Sequence, residues 1–380
     1  MPCLWSENYA IACDNRMHPQ RPKLVDQVAR ELRDGIESRK WEDWLPQERV
    51  LARELYVSRA TLRLALQRLR LEGLVESLHH RGNRILPLPA SRRLRSSQQR
   101  VVNLVVPGTT GRLPRIPVNW MDELRAQLAT QSCQLRVIHA EACYSKRPER
   151  ALEKLVARDP ADCWLVRLST LPMQEWMAKR ELPAIIAGTT YSGIDLPYID
   201  VDQCSVSRHA AGVLIAAGHR EIAFFKDKDR KAGDMESERG FAEATVPTPM
   251  HPNLHGQIVR YEGSVQGMIK QLNDLMFRRP VRPTALIVAL ANYCFTVWSY
   301  LGYRGLKIPD DVSVVAHLGT SDLAFLFPEP ANYRLNVTSY AQKMLRLVLA
   351  RMEGDAIPPA TLVIPDLFRG ASIHPLPPAR

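Results

Sequence analysis

Arg59, Thr61 and Arg63 stand at the front of the run RATLRLALQRLRL, in which Leu62, Ala65, Leu66 and Leu69 recur at spacings of three and four. That spacing predicts a helix with one apolar stripe to bury, which leaves the arginines pointing away from it. A guanidinium presents paired donors in a fixed fork, the geometry that reads phosphate oxygens and guanine edges. Ser58 suits the N-cap, accepting from a backbone N–H one turn on, and Gly73 suits a left-handed stop.

The neighbouring residues must position this helix. Pro46 fits a first helical position, and the helix it opens runs to about Leu55 with Val50, Leu51 and Leu55 on one side and Arg49 elsewhere. Tyr56 and Val57 then make the turn. Leu74-Val75 and Ile85-Leu86 flank His79-His80-Arg81-Gly82-Asn83, which suits a hairpin with His80, Arg81 and Gly82 at a positive tip. Leu24, Val28, Leu32 and Ile36 repeat every four residues, giving a first helix that covers the other two. Each helix alone reads better as a solvated face on a packed bundle than as a functional element. The capped helix, its exposed arginines and the basic hairpin together describe a winged helix-turn-helix facing double-stranded DNA.

Charge agrees with this reading. Residues 21–100 hold 18 Lys and Arg against 10 Asp and Glu, so +8 of the chain's +11 sits on the motif. At 380 residues, 46% hydrophobic and 24% charged, the chain has room for a second, larger unit. The Pro-, Ser- and Arg-rich segment 87–100 reads as a linker and the first twenty residues as a tail. No leader pattern and no long apolar span is found, so a cytoplasmic location and no membrane partner are expected. Seven scattered cysteines without C-x-x-C argue against a zinc site or a disulfide framework and for reduced core filler, and no metal or cofactor is expected.

Residues 23–86 resemble the DNA-binding domain of the GntR family, carried by LPQERVLA, then SRATLR, then the LRLEGLV run and the wing. The resemblance implies that Arg49, Arg59, Thr61 and Arg63 contact phosphates and base edges in the major groove, with Arg81 and Gly82 near the minor groove. Tyr56 and His80 stand where the family usually has glycine.

Beyond Val101 short apolar runs alternate with amphipathic stretches, the pattern of βα units and a parallel sheet. Strands are predicted at 101–106, 135–139, 163–168, 184–187, 222–225, 285–289 and 312–316. Helices are predicted at 121–132, 148–158, 206–217, 265–277, 295–303 and 340–352. The chain has no GxGxxG after the first strand, no GxxxxGK[ST], no GxSxG and no HExxH, so neither nucleotide cradling nor hydrolase chemistry is indicated.

AAGHREIAFF at 216–225, ERGFAEA at 238–244, GLKIPDDVSVVAHLG at 305–319 and TLVIPDLFRGAS at 361–372 resemble the LacI/GalR effector domain. The fold expected is therefore α/β, an N-terminal winged helix-turn-helix (21–86) followed by a two-lobed periplasmic-binding-protein-like sensor (101–374) with parallel sheets flanked by helices, then a short tail at 375–380. The resemblance implies a homodimer, a small polar effector such as a sugar in the cleft between lobes, and a pseudo-palindromic operator. Two habitual sugar-reading groups are replaced: Ser237 stands for an arginine and Leu318 for an aspartate. The cleft candidates are Thr109, Thr110, Trp120, Tyr144, Ser169, Thr189, Asp202, Arg239, Asn292, His317 and Asp322, with Trp120 or Tyr144 as an aromatic floor. For each of them a capping, turn or packing role is equally available. Function is then ligand-responsive transcriptional regulation, as a repressor. The alternatives are a sensor that has lost its ligand and only dimerises, or a GntR-type protein with an enzyme-like C-terminal domain.

Overall fold

The computed structural model describes residues 24–37, 40–41, 43–55, 57–71, 73–78, 82–86, 99–108 and 119–377. Tyr56, His79, His80, Arg81, Thr109 and Thr110, the tail 1–20 and all but the end of the 87–100 segment lie outside them. The chain divides into two compact units, 1–99 and 100–380.

In the first unit, α1 (Leu24–Glu37), α2 (Glu48–Glu54) and α3 (Arg59–Leu71) pack Val28, Leu32, Ile36, Leu51, Leu62, Ala65, Leu66 and Leu69 into one apolar cluster. These are the positions that the helical spacing marks. Strands β1 (Val75–Leu78) and β2 (Gly82–Ile85) pair antiparallel, Val75 opposite Ile85 and Leu78 opposite Gly82. A third extended piece joins them, because Leu45 donates to the Asn83 carbonyl at 3.0 Å and Ile85 donates to that of Asp43 at 2.9 Å. Pro46 is not the first helical residue. Gln47 is the cap and Pro46 precedes it, on the stretch that leaves this sheet piece.

The second unit holds two six-stranded sheets of the same plan. Lobe 1 orders β13-β7-β6-β5-β3-β4, from β3 (Arg100–Val106), β4 (Cys133–His139), β5 (Cys163–Arg167), β6 (Ala184–Ala187), β7 (Tyr198–Val201) and β13 (Ala360–Val363). Lobe 2 orders β14-β12-β11-β10-β8-β9, from β8 (Glu221–Asp227), β9 (His255–Tyr261), β10 (Ala285–Val288), β11 (Ser313–Ala316), β12 (Ala331–Arg334) and β14 (Asp366–Phe368). All pairings are parallel except β12 with β14. Strands buried on both faces need continuous apolar runs, and ALIV, SVVA and AIIA supply them.

Lobe 1 is covered on one face by α4 (Asn119–Ala129) and α11 (Val337–Glu353) and on the other by α5 (Glu149–Arg158) and α6 (Leu171–Lys179). Lobe 2 is covered by α7 (Gln203–Ala216) and α8 (Ala232–Ala244) on one face, and by α9 (Val265–Asn273) and α10 (Ala291–Tyr303) on the other. The chain crosses between lobes three times: after β7 at Val201, between β12 and α11, and between β13 and β14. Every crossing lies at the carboxyl ends of the parallel strands, so the cleft opens there. In each sheet the first strand sits between the next two, β3 between β4 and β5, β8 between β9 and β10. The carboxyl ends flanking that reversal form the crevice in which open parallel sheets hold ligands.

The departures from the sequence pattern have local causes. Strand β5 ends at Arg167 because Leu168 takes a left-handed φ of 53°. The helix predicted over 265–277 is α only to Asn273 and continues as a π turn, Asp274–Arg278. Helix α8 escapes apolar periodicity because it packs through small residues: a Cβ on Gly240 would lie 2.0 Å from the Cys204 carbonyl oxygen. Residues 375 onward are not a free tail at their start, since the Leu376 N–H donates to the Ala217 carbonyl at 2.7 Å. Cys133, Cys143, Cys163, Cys204 and Cys294 are all free and buried, acting as core filler.

Candidate functional site

In the first unit the Ser58 hydroxyl accepts from the Thr61 N–H at 3.1 Å and lies 2.8 Å from the Thr61 hydroxyl. This is the cap that the sequence predicts, and it uses Thr61 to hold the helix start. Arg49, Ser58 and Arg59 are exposed. Arg63 is also exposed, with 61% of its side chain open, but its Nε donates to Glu48 of α2 at 2.9 Å. Arg63 points away from the core stripe as expected, but a carboxylate of the preceding helix holds it, across the turn that brings the two helix fronts together. An exposed pair of this kind is worth about 0–1 kcal/mol, so a phosphate can displace Glu48. Gly82 opens β2 with φ 102°, a conformation that glycine adopts at little cost. Behind it the Asn83 side chain is buried and accepts from Arg70 of α3 at 3.0 Å, which ties the wing to the helix. Glu48, Arg70 and Asn83 were not anticipated, because their roles come from contacts 13 to 15 residues apart.

The cleft candidates of the second unit are mostly engaged within the protein. Trp120 is not a ligand floor; it is buried in the lobe 1 core, edge-on to Tyr340 with ring centroids 5.8 Å apart. Tyr144 is not one either. Its hydroxyl is shared between the carbonyls of Val105 at 3.1 Å and Arg167 at 2.6 Å, pinning the ends of β3 and β5, and burial pushes its pKa up. Ser169 is buried and accepts from Gln174 at 2.9 Å. His317 is buried with its Nε2 at 2.7 Å from the Ser207 hydroxyl, and burial pushes its pKa down to about 3. Asn292 and Asp322 are exposed.

Thr189, Asp202 and Arg239 do come together, lining a hollow of about 300 Å³ with Gln203, Ser205 and Arg208. Each has an internal partner there. Thr189 donates to Asp200 at 2.6 Å, and Asp202 caps α7 by accepting from the Ser205 N–H at 2.9 Å. Arg239 pairs with Glu236 and Glu243 of its own helix.

At Ser237, where the resemblance expects arginine, the cation arrives from another element. Lys226 of β8 is buried, and its Nζ donates to Ser237 Oγ at 2.7 Å and to Asp234 at 2.5 Å. Beside it, buried Glu238 accepts from Arg230 and from Arg260, both at 2.8 Å. A single lysine ending an apolar strand is the one signal in the sequence that could have marked this exchange.

Residues 24–85 match the family described as bacterial regulatory proteins, gntR family, and residues 211–373 match the periplasmic binding protein-like domain. The chain joins a gntR-type helix-turn-helix to a periplasmic-binding-protein-like domain. The chain is similar to HTH-type transcriptional regulator AglR of Rhizobium meliloti (strain 1021), 24% identical over 48% of this chain and 49% of that protein. HTH-type transcriptional regulator CelR of Thermobifida fusca is 22% identical over 51% of this chain and 57% of its own length. The chain spans about half the length of these relatives. Among solved structures, a LacI family transcriptional regulator from Enterococcus faecium with bound ribose aligns over 73% of this chain and 100% of its own, with TM-score 0.60 and 17% identity. The transcription regulator CcpA of Lactococcus lactis aligns over the same shares with TM-score 0.61 and 14% identity. At these identities the likeness is one of fold, and it covers both lobes.

Proposed function

We propose that the chain is a sequence-specific DNA-binding transcriptional regulator, a repressor, whose second unit senses a small polar molecule in the cleft between its lobes. The observation that carries this reading is the front of α3, capped by Ser58 and presenting exposed Arg59 beside a three-piece wing. Bound effector shifts the lobes between open and closed arrangements, and a difference in affinity for the two becomes a difference in DNA affinity. The reading includes a non-enzymatic role, a cytoplasmic location and a homodimer on a pseudo-palindromic operator, since a two-fold protein reads a two-fold site. Phe325 and Phe327 support the dimer: 85% and 95% exposed on the short segment before β12, they offer apolar surface to a second copy.

Selection of genomic fragments bound by the purified chain, followed by gel shift on the recovered sequence, tests the reading. Arg59→Ala is expected to weaken binding by about 1–3 kcal/mol and to relax discrimination at one base position. Full retention of operator affinity by Arg59→Ala removes α3 from the interface. A sensor that only dimerises is the second reading, favoured by the internal engagement of Thr189, Asp202, Arg239 and His317.

A further inference from the structure

Arg167 is the last residue of β5, at the crevice where β3 and β5 flank the reversal of strand order in lobe 1. Its strand alternates, Cys163 and Leu165 facing the α4 and α11 core, Trp164 and Val166 the opposite one. Arg167 continues the first series, within electrostatic reach of Tyr340 and Asp200. The backbone here is fixed, because the Tyr144 hydroxyl holds the Arg167 carbonyl at 2.6 Å and Leu168 turns the chain at φ 53°.

The Arg167 side chain is half-buried, and burial is the largest influence on it, lowering its pKa from the ordinary guanidinium value. Among the described residues no carboxylate pairs with it. Asp200 nearby is occupied by Thr189 at 2.6 Å, by the Val201 N–H at 2.7 Å and by Gln203 at 3.4 Å. Residues 107–118, which continue from β3, contain no Asp or Glu. The fully buried cation of this unit, Lys226, is matched by Asp234, whereas half-buried Arg351 of α11 donates to the Leu182 carbonyl at 3.2 Å. A desolvated guanidinium with no carboxylate paired to it is unfavourable unless an anion completes it.

We propose that Arg167 is the anion receptor of the cleft, and that the effector carries an oxyanion, a carboxylate or a phosphate, which the guanidinium takes in a bidentate pair. This deepens the regulator reading and rests on it for the word effector; the anion site itself stands without DNA binding. A neutral polyol would leave the charge uncompensated, whereas an acid would complete it.

Thermal unfolding of the full chain in chloride, acetate and inorganic phosphate at matched ionic strength tests the proposal, with Arg167→Met and Arg59→Ala beside the wild type. Acetate and phosphate stand for the two sources of the oxyanion, and the larger increment names which one the site prefers. Wild type and Arg59→Ala are expected to gain roughly 2–4 °C in the preferred anion, and Arg167→Met to gain none while melting no lower than wild type in chloride. An increment retained by Arg167→Met, an increment lost in Arg59→Ala, or no increment in the wild type overturns the proposal. Gel shift without added anion reads the regulator assignment separately, because Arg167→Met leaves α3 untouched.

Discussion

Lobe 1 and lobe 2 repeat one strand plan, and each brings a cation to the carboxyl ends that flank its strand reversal, Arg167 on β5 and Lys226 on β8. The two cations have opposite surroundings. Lys226 is buried against Asp234 and Ser237 and lies 5.2 Å from the Phe224 ring centroid, so its charge is spent inside the fold. Among the described residues no carboxylate pairs with Arg167, and Asp200 nearby is held by Thr189 and Gln203, so the Arg167 charge remains available. The difference separates what holds a lobe together from what can recognise another molecule, on strands that are neighbours in the shared plan, β8 matching β3 and β5 matching β10. The first unit repeats it on a smaller scale: Arg59 is exposed, and Arg63 four residues on is held by Glu48.

Removing Lys226 should have the largest effect. Lys226→Met strands Asp234 and the Ser237 hydroxyl beside an apolar side chain, and taking one partner from a buried pair costs about 3–5 kcal/mol. Denaturant unfolding should place the loss in the second unit and leave α3 binding to DNA intact below the transition. Arg167→Met should not destabilise in this way. Equal losses in the two variants would mean that the lobes treat their cations alike, and the contrast would fail.

Acid should act on lobe 2 for a related reason. Burial holds His317 down to about 3, with the Lys226 charge contributing in the same direction, and burial likewise takes His219 to about 4. Unfolded, both imidazoles titrate near 6.5, so between these values it is the unfolded chain that binds the extra protons. Stability is therefore full above pH 6.5 and drains as pH falls, by about 2 kcal/mol for each histidine between pH 6.5 and 5. His317→Gln keeps a hydrogen-bonding group for Ser207 and removes one titration. Its unfolding free energy, measured across pH 5–7, should fall with about half the wild-type slope. An unchanged slope would show that His317 does not carry the acid lability.

The two units differ in how far their chemistry could be read from residues in order. In the first, the cap, the core stripe and Arg59 lie within a dozen consecutive positions, and helical spacing alone separates them. Only the contacts that leap the turn, Arg63 to Glu48 and Arg70 to Asn83, were hidden. In the second unit the apolar runs of the central strands were legible, but β7, β9, β12, β13, β14, α6 and α8 were not. Several of these are short edge elements or, like α8, helices packed through Gly, Ala and Ser. The cleft was less legible still. Its residues come from strand ends far apart in sequence, and whether a polar side chain there is free depends on partners such as Asp200 for Thr189, 11 residues away, or Ser207 for His317, 110 away.

The smallest effect expected is also the one that asks whether a paired cation on α3 reads DNA at all. Glu48→Gln removes the charge that holds Arg63 and should change stability by less than about 1 kcal/mol, since the pair is exposed. If Glu48 only parks Arg63 until DNA arrives, the variant binds the operator more tightly by a few fold and with a steeper salt dependence, because no carboxylate then competes with phosphate. If Glu48 instead aims Arg63 at a base edge, affinity for the operator falls while affinity for unrelated DNA rises. Placed in a cycle with Arg63→Ala, the two outcomes differ in sign, because only an aimed arginine loses its discrimination when either partner is removed. A cycle that closes without coupling would make Arg63 a bystander and leave Arg59 and Arg49 to carry the contact.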